Sequence, residues 1–329
     1  MEAPTEKIKN SFRSGFVSLV GRPNAGKSTL LNAFVGSHVA IVTDKPQTTR
    51  INVQGIWTSD ESQVIFLDTP GIHKGESLYN RRMMQEVRSA LEQRDLILYV
   101  ADATMRFTSQ EDKAIDLVRK SGTPAFLVLN KVDKLAKRSE LLALLERYSK
   151  QFNFQEYVPV SALKGEMMDT LRELIVKYLP EGPEYFPPDQ VTDQPERYLA
   201  AELIREKILR ATHQEVPHSI AVFIDHWEET PKTTRIAATI YVERAGQKGI
   251  IIGTGGQMLR QIGTEAREDI EEMLGTHAFL ELFVKVKENW RENPLFLSQL
   301  DWKVNLAQMT TPVHQAEAQD GEDGPVVLP

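Results

Sequence analysis

Short apolar runs alternate with amphipathic stretches over the first half of the chain. The candidate strands are FVSLV, INVQGIWT, VIFLD, LILYVA, AFLVLN and YVPV. Residues 59–63, between the second and third strands, are too few for a crossover, so this pair is predicted to be an antiparallel hairpin. The other connections have room for helices. The pattern predicts an α/β domain over residues 12–180 with a six-stranded, mostly parallel sheet.

The pattern changes after a proline-rich segment. Five prolines fall between Pro180 and Pro195, which interrupts regular structure and predicts an interdomain linker over residues 181–195. The chain beyond it reads as a helix, two strands, a glycine-rich turn, a second helix and a third strand, over 196–210, 219–226, 235–244, 264–274 and 279–287. This order predicts an α+β domain over residues 196–305. The polar, acidic segment 306–329 is expected to be disordered.

Composition narrows the class of protein. A length of 329 residues favours two domains. No apolar run approaches the roughly 18 residues of a membrane span, and the first residues lack the apolar core of a secretory signal, so a cytoplasmic location is expected. The absence of cysteine excludes disulfides, thiolate catalysis and cysteine-ligated zinc. A net charge of -7 disfavours indiscriminate nucleic-acid binding, so any RNA contact must be local.

The strongest chemical signal is the segment GRPNAGKS, which fits G-x-x-x-x-G-K-S between an apolar strand and a helical run. Its glycines let backbone N–H groups face phosphates, Lys27 reaches the outer phosphates and the Ser28 hydroxyl ligates Mg²⁺. Chance would produce this pattern in roughly one such chain in a hundred. The candidate phosphate-binding residues are Gly21, Arg22, Pro23, Asn24, Ala25, Gly26, Lys27, Ser28 and Thr29.

Three further motifs follow later strands, at the sheet edge where an open α/β fold binds its ligand. Asp68 is expected near Mg²⁺ and Gly71 near the terminal phosphate, although D-x-x-G alone is equally typical of a turn. The Asp133 carboxylate can accept two N–H groups of guanine, an arrangement that adenine does not offer. The Ala162 N–H can reach the guanine carbonyl. The candidate residues are Asp68, Thr69, Pro70, Gly71, Ile72, Asn130, Lys131, Asp133, Ser161, Ala162 and Leu163.

The polar segment PQTTR lies between the first helix and the second strand. A mobile loop here can bring a threonine hydroxyl to Mg²⁺ once the terminal phosphate is bound, whereas a plain loop is the alternative. Thr48 and Thr49 are equivalent candidates for this role. The candidate catalytic residues are Lys27, Thr48, Thr49 and Gly71. The candidate Mg²⁺ ligands are Ser28, Thr48, Thr49 and Asp68.

In this order, GRPNAGKSTLLN, PQTTR and DTPGIH resemble the Era family of GTPases. Farther along, QKGIIIGTGG followed by IGTEAR resembles the G-x-x-G turn of a type II KH domain, and ELFVKVKENW resembles the family's final strand. The resemblance covers about residues 12–303. It implies an Mg²⁺-dependent GTPase that binds the 3′ end of 16S rRNA through its KH domain and assists assembly of the small (30S) ribosomal subunit. It also implies peripheral contact with the inner membrane. We expect a monomer.

The glycine-rich turn of the second domain would let the sugar-phosphate backbone of RNA approach closely, although a simple tight turn fits equally well. Where the family usually carries a lysine, this chain has Thr254, so we expect weaker phosphate attraction. Residues 196–305 hold 14 Lys and Arg against 17 Asp and Glu, so the basic groups must act locally. The candidate RNA-binding residues are Lys248, Gly253, Thr254, Gly255, Gly256, Arg260 and Arg267.

The chain lacks a glutamine where many signalling GTPases orient the attacking water. It has Ile72 there, so we expect slow hydrolysis driven by positioning, Mg²⁺ and electrostatic stabilisation. Asn24 is a candidate K⁺ ligand beside the phosphates, with a purely structural role in the loop as the alternative. His73 is a candidate general base, although a loop histidine is more often solvated.

Two other functions fit the sequence. One is a GTP-binding RNA assembly factor with negligible turnover. The other is a membrane-associated regulatory GTPase whose second domain contacts a protein partner, which the negative charge of that domain favours.

Overall fold

A computed structural model of the chain describes residues 12–72, 77–137, 139–213, 216–300 and 302. These residues form two compact units. The first unit comprises the described residues within 1–40, 49–73 and 84–193, and the second those within 41–48, 74–83 and 194–329. The predicted tail, 306–329, and the candidate base His73 lie outside the described residues.

The first unit contains a six-stranded sheet with the order β2-β3-β1-β4-β5-β6. Its strands are β1 (Arg13–Val20), β2 (Val53–Ser59), β3 (Ser62–Asp68), β4 (Leu96–Asp102), β5 (Ala125–Asn130) and β6 (Glu156–Pro159). Strands β2 and β3 pair antiparallel, which confirms the predicted hairpin, and the other described strand pairs of this sheet are parallel. The predicted fold class, a mostly parallel six-stranded α/β sheet, is also confirmed.

Helices cover this sheet because its central strands are apolar on both faces. Along β4, Leu96 and Leu98 belong to one apolar cluster and Ile97 and Tyr99 to another. Alternate residues of a strand point to opposite faces, so the sheet is buried on both sides, as parallel sheets usually are. The helices of the first unit are α1 (Lys27–Val35), α3 (Ser109–Ser121), α4 (Ser139–Ser149) and α5 (Met168–Tyr178). Helix α2 (Leu78–Ser89) has its first residues in the second unit and its remainder, from Met84, in the first.

The proline-rich segment predicted as a linker packs on the first unit as far as Asp193. The Gln63 side chain accepts hydrogen bonds from the N–H groups of Tyr185 and Phe186. At the edge strand β2, the Ile56 N–H donates to the Val191 carbonyl over 2.8 Å. Proline lacks a backbone N–H, so a proline-rich segment forms few β-sheet hydrogen bonds. Here the segment instead pairs with a backbone N–H group that the edge strand does not use within the sheet.

The second unit contains a three-stranded sheet with the order β7-β8-β9. Its strands are β7 (Ala221–Glu229), β8 (Thr233–Val242) and β9 (His277–Val286), and its helices include α6 (Glu196–Ala211), α7 (Ala245–Ile252), α8 (Gln257–Leu274) and α9 (Pro294–Gln299). β7 pairs antiparallel with β8, and β8 pairs parallel with β9. Apolar residues of α6, α8 and the sheet form one core.

Two helix boundaries differ from the prediction. Helix α7 occupies part of the stretch expected to be a glycine-rich turn, and α8 begins at Gln257 instead of Thr264. The Gln247 side chain accepts hydrogen bonds from the N–H groups of Glu243 and Arg244, which caps α7. Glycine residues disfavour helix formation, and this local capping stabilises the short helix α7 in spite of its glycines.

The second unit also includes two segments from the middle of the first domain's sequence. In segment 41–48, the Val42 N–H donates to Glu206 of α6 over 2.7 Å, and the Thr48 carbonyl accepts from Arg205 over 2.5 Å. In the second segment, Tyr79 packs edge-on against Trp290. Neither unit is therefore formed by one continuous stretch of the sequence.

Within the described ranges, every helix is too short or too polar to cross a lipid bilayer.

Candidate functional site

The turn between β1 and α1 has a backbone that only glycine adopts easily. Gly26 has φ 90, in the left-handed region, and an added Cβ would lie 2.3 Å from the Asn130 side-chain nitrogen. A Cβ on Gly21 would lie 2.1 Å from the Val100 carbonyl oxygen. Both glycines of the motif are therefore needed for close packing of the loop against β4 and β5. Alanine at either position would displace the loop.

Lys27 begins α1 and folds back over this turn. Its Nζ donates to the carbonyl of Arg22 over 3.1 Å and contacts that of Gly21 at 3.5 Å. Burial lowers the pKa of the Lys27 ammonium, and the charge of Asp68 opposes this. The ammonium is therefore held inside the loop whose N–H groups are expected to bind phosphate.

Three oxygen-bearing side chains meet beside Lys27. The Ser28 hydroxyl donates to Asp68 Oδ2 over 2.6 Å, the Thr49 hydroxyl donates to the same oxygen over 3.0 Å, and the two hydroxyl oxygens are 2.9 Å apart. Asp68 Oδ1 is buried and has no hydrogen-bond partner among the described residues. Hydroxyl and carboxylate oxygens are the ligands that Mg²⁺ prefers, so this group fits that ion.

Asp68 is fully buried at the end of β3. Burial raises the pKa of its carboxyl, while Lys27, the two hydroxyl groups and the Thr69 N–H oppose the rise. A buried carboxylate needs such partners to remain ionised. The neighbouring Thr69 hydroxyl donates to the Leu19 carbonyl over 2.8 Å, which fastens the end of β3 to β1.

Thr48 and Thr49, equivalent in the sequence, have different surroundings. The Thr48 hydroxyl donates to the Lys45 carbonyl over 2.7 Å and lies 2.7 Å from the Thr43 hydroxyl. Thr49 is the threonine that contacts Ser28 and Asp68. The structure therefore places only Thr49 with the candidate Mg²⁺ ligands.

The loop after β3 approaches the phosphate loop closely. The Ile72 N–H donates to the Gly21 carbonyl over 3.1 Å. A Cβ on Gly71 would lie 2.6 Å from the Pro23 backbone, so only glycine fits there. The D-x-x-G segment, ambiguous in the sequence, is thus in contact with the turn that precedes Lys27.

The side chain of Asn130 connects three segments. Its amide donates to the Ala25 carbonyl over 3.0 Å, and its oxygen accepts from the N–H groups of Lys131 and Ala162. We expected the Ala162 N–H to bind guanine, and in this structure it donates to Asn130. The Asp133 carboxylate accepts from the Ser161 hydroxyl over 2.7 Å. The two predicted base-binding motifs are therefore neighbours.

Asp102, which is not among the predicted site residues, lies among these groups. The Lys131 ammonium contacts Asp102 Oδ2 at 2.6 Å and the Asn24 carbonyl at 2.5 Å. Asp102 is the last residue of β4, so the rule that ligands bind at the carboxyl ends of parallel strands would have found it.

The second unit presents the predicted G-x-x-G turn between α7 and α8. Gly253, Gly255 and Gly256 have φ values of 71, 58 and 78, in the left-handed region. A Cβ would meet nothing within 4 Å at Gly255 or Gly256, so the turn is open on that side. Thr254 is exposed there. The backbone of the turn is therefore accessible to a ligand.

The basic candidates differ in how close they lie to this turn. Arg260 is exposed on the first turn of α8, whereas Arg267 lies two turns further and forms an ion pair of 3.6 Å with Glu271. Lys248 lies on α7, just before the turn. Arg260 and Lys248 are thus the basic side chains nearest the turn in sequence, and Arg267 is farther and already paired.

Two family models match the chain. A model described as 50S ribosome-binding GTPase matches residues 16–131, and a KH domain model matches residues 215–291. Over 284 residues the chain is 50% identical to the GTPase Era of Heliobacterium modesticaldum (strain ATCC 51547 / Ice1), an alignment that covers 86% of this chain and 95% of that protein.

Two solved structures are similar to most of the chain. A crystal structure of a variant of Aquifex aeolicus Era bound to GDP.AlF4- has a TM-score of 0.86 and 40% identity, covering 88% of this chain and 99% of that one. A crystal structure of Era in complex with MgGDPNP and nucleotides 1506-1542 of 16S ribosomal RNA has the same TM-score of 0.86, identity of 40% and coverage of 88% and 99%.

The site predicts how a change at Asp133 affects nucleotide choice. Asp133→Asn removes the charge that we expect to accept both N–H groups of guanine, at a cost of about 1.5–3 kcal/mol. We expect GTP affinity to fall roughly ten- to a hundredfold. Isothermal titration with GTP and ATP would measure it, and wild-type protein should take up GTP in preference to ATP.

Asp116→Asn, at an exposed carboxylate on α3 that pairs with the exposed Arg119, is the matched control and should bind GTP as wild type does. Equal GTP affinity in the Asp133→Asn variant and the wild type would contradict the role of Asp133.

Proposed function

Since the chain belongs to the GTPase Era family, we propose that it hydrolyses GTP and uses its nucleotide state to control binding of the 3′ end of 16S rRNA, assisting assembly of the small ribosomal subunit. One observation carries this proposal. The chain combines a complete nucleotide site with an open G-x-x-G turn, and the relative solved with both MgGDPNP and a 16S rRNA segment is similar to it over 88% of its length.

Different residues of the first unit have different roles in GTP binding and hydrolysis. Lys27 and the backbone of the phosphate loop bind the outer phosphates, while Asp133 selects guanine. Ser28 and Thr49 would hold Mg²⁺ directly, with Asp68 accepting hydrogen bonds beside them. When bound, Mg²⁺ neutralises charge on the phosphates. Ile72 cannot orient water, so intrinsic turnover is slow and depends on positioning.

Two alternatives give different results in the same assays. A pure assembly factor would bind GTP with negligible turnover whether or not rRNA is present. A regulatory GTPase acting on a protein would show no RNA contact near residues 253–267. The peripheral membrane contact implied by the family, the cytoplasmic location and the monomeric state stay predictions.

The RNA proposal predicts the effect of a charge in the G-x-x-G turn. Gly255→Asp places a carboxylate where the RNA backbone would approach, and asparagine or aspartate tolerates this backbone conformation better than other residues. We expect affinity for an oligonucleotide of the 16S rRNA 3′ end to fall at least about tenfold, or about 1.4 kcal/mol. Fluorescence anisotropy at fixed salt would measure it.

The matched control is Gly275→Asp. Gly275 ends α8, has φ 65 and likewise has no atom within 4 Å of an added Cβ, but lies at the other end of the helix. It should bind RNA as wild type does. If the two variants bound RNA equally well, the turn would not be the RNA site.

We also propose that Thr49, and not Thr48, ligates Mg²⁺. Removing one hydroxyl ligand by Thr49→Ala should raise the Mg²⁺ concentration for half-maximal GTP turnover by roughly tenfold, about 1.4 kcal/mol. Thr48→Ala should change it much less, since the Thr48 hydroxyl bonds within its own segment. Mg²⁺ titrations of phosphate release would decide, and the reverse ranking would assign the role to Thr48.

We propose further that the Asn24 side chain helps hold K⁺ beside the phosphates. Asn24 lies in the phosphate loop with φ 61, and its carbonyl is fixed by Lys131. Turnover should be several-fold faster in potassium than in sodium buffer at equal ionic strength, and Asn24→Ala should abolish the difference. Identical wild-type rates in the two buffers would remove the basis for this site.

A further inference from the structure

Glu111 is a buried carboxylate that none of the nucleotide-binding motifs contains. It lies in the first turn of α3 and is only 4% exposed. The fully buried Tyr99, on the central strand β4, donates its hydroxyl to Glu111 Oε2. This hydrogen bond holds Glu111 beside the apolar cluster on one face of the sheet, which contains Tyr99 and Tyr148.

The remaining oxygen of this carboxylate faces the phosphate loop. Glu111 Oε1 is 3.5 Å from Arg22 Nη1, in the second residue of G-x-x-x-x-G-K-S. The same guanidinium donates to Gln110 Oε1 over 2.8 Å and is 3.5 Å from the Thr108 hydroxyl. Three side-chain oxygen atoms at the N-terminus of α3, from its N-cap residue and its first turn, therefore contact the Arg22 guanidinium.

Arg22 also contacts the nucleotide-binding lysine through its backbone. Its carbonyl accepts the hydrogen bond from Lys27 Nζ over 3.1 Å. A continuous chain of polar contacts consequently runs from Glu111 through Arg22 to Lys27. Because the guanidinium is engaged by α3, it is not the group that supplies positive charge at the phosphates in this arrangement.

Burying the Glu111 carboxylate costs free energy, which is unfavourable for a residue with a purely structural role. Burial raises the pKa of its carboxyl, and the hydroxyl groups and Arg22 only partly oppose this. The pKa of Tyr99 is raised by burial and by the Glu111 charge. A neutral side chain of the same shape would fill the space without the cost of desolvating a charge. A buried charge that a neutral residue could replace calls for a functional reason.

We propose that Glu111 is a positioning residue for GTP hydrolysis: by holding Arg22, it keeps the Arg22 carbonyl and Lys27 in the geometry that binds the outer phosphates. The inference rests on the proposed GTPase function of the loop. Glu111 contacts Tyr99 on one side and Arg22 on the other, so its effect on the phosphate loop passes through Arg22. Misplacement of a phosphate-binding group by a fraction of an ångström is enough to slow a reaction that depends on positioning.

Glu111→Gln tests this because it keeps the shape of the side chain and removes its charge. We expect kcat/KM for GTP to fall about tenfold, with GTP affinity falling more than GDP affinity, since Lys27 reaches the outermost phosphates. The unfolding free energy, from denaturant titration without nucleotide, should stay the same or rise. A residue that only supports the fold would lower stability and leave the ratio of GTP to GDP affinity unchanged.

Arg22→Met completes a double-mutant cycle. If Glu111 acts through Arg22, the double variant should be no more impaired than Arg22→Met alone, whereas additive losses would overturn the proposal. The matched control is Glu140→Gln, an exposed glutamate in the first turn of α4, which should keep wild-type kinetics. Tyr99→Phe, which removes a donor to Glu111 from the other side, gives a second test if Glu111→Gln folds poorly.

The outcomes separate this proposal from the GTPase function itself. Wild-type protein that neither binds nor hydrolyses GTP would refute the function, and no variant would then be informative. Normal wild-type turnover with an unimpaired Glu111→Gln variant would refute the positioning role alone.

Discussion

The nucleotide site depends on the hydrogen bonds of one buried side chain, that of Asn130. It joins the Ala25 carbonyl in the phosphate loop to the N–H groups of Lys131 and Ala162 in the two base-side loops. Each of these loops follows a different strand, and separate loops would otherwise be free to move independently. The Asn130 side-chain amide can connect these loops because it both donates and accepts hydrogen bonds and carries no charge.

Around Asn130, the first unit contains buried charged side chains. Burial of each charge would cost free energy if it had no partner of opposite charge. Lys27 and Asp68 are both buried, and each opposes the effect of burial on the pKa of the other. The buried Glu111 pairs with Arg22, whose charge opposes the effect of burial on the pKa of the Glu111 carboxyl. Such fixed groups need no rearrangement when charge develops on a phosphate, which is how a GTPase without a water-orienting glutamine can still catalyse.

The second unit shows the same principle on α6. Arg205 is 1% exposed and Glu206 0% exposed, and each binds a backbone group of segment 41–48. The threonine next in sequence, Thr49, contacts Ser28 and Asp68 in the first unit. Segment 41–48, which carries Thr48, is therefore held by side chains that are far away in sequence. A charged helix face, which usually indicates solvent exposure, is here an interior surface.

Sequence alone determined where the strands of the first sheet lie along the chain, the β2–β3 hairpin and the four nucleotide motifs, because period, connection length and loop chemistry are local properties of the chain. It also located the G-x-x-G turn. Only the tertiary structure separated Thr49 from Thr48, moved segment 41–48 into the second unit and showed Glu111 behind Arg22. These features depend on contacts between distant residues, and the partners of a glutamate or threonine cannot be identified until the chain has folded around it.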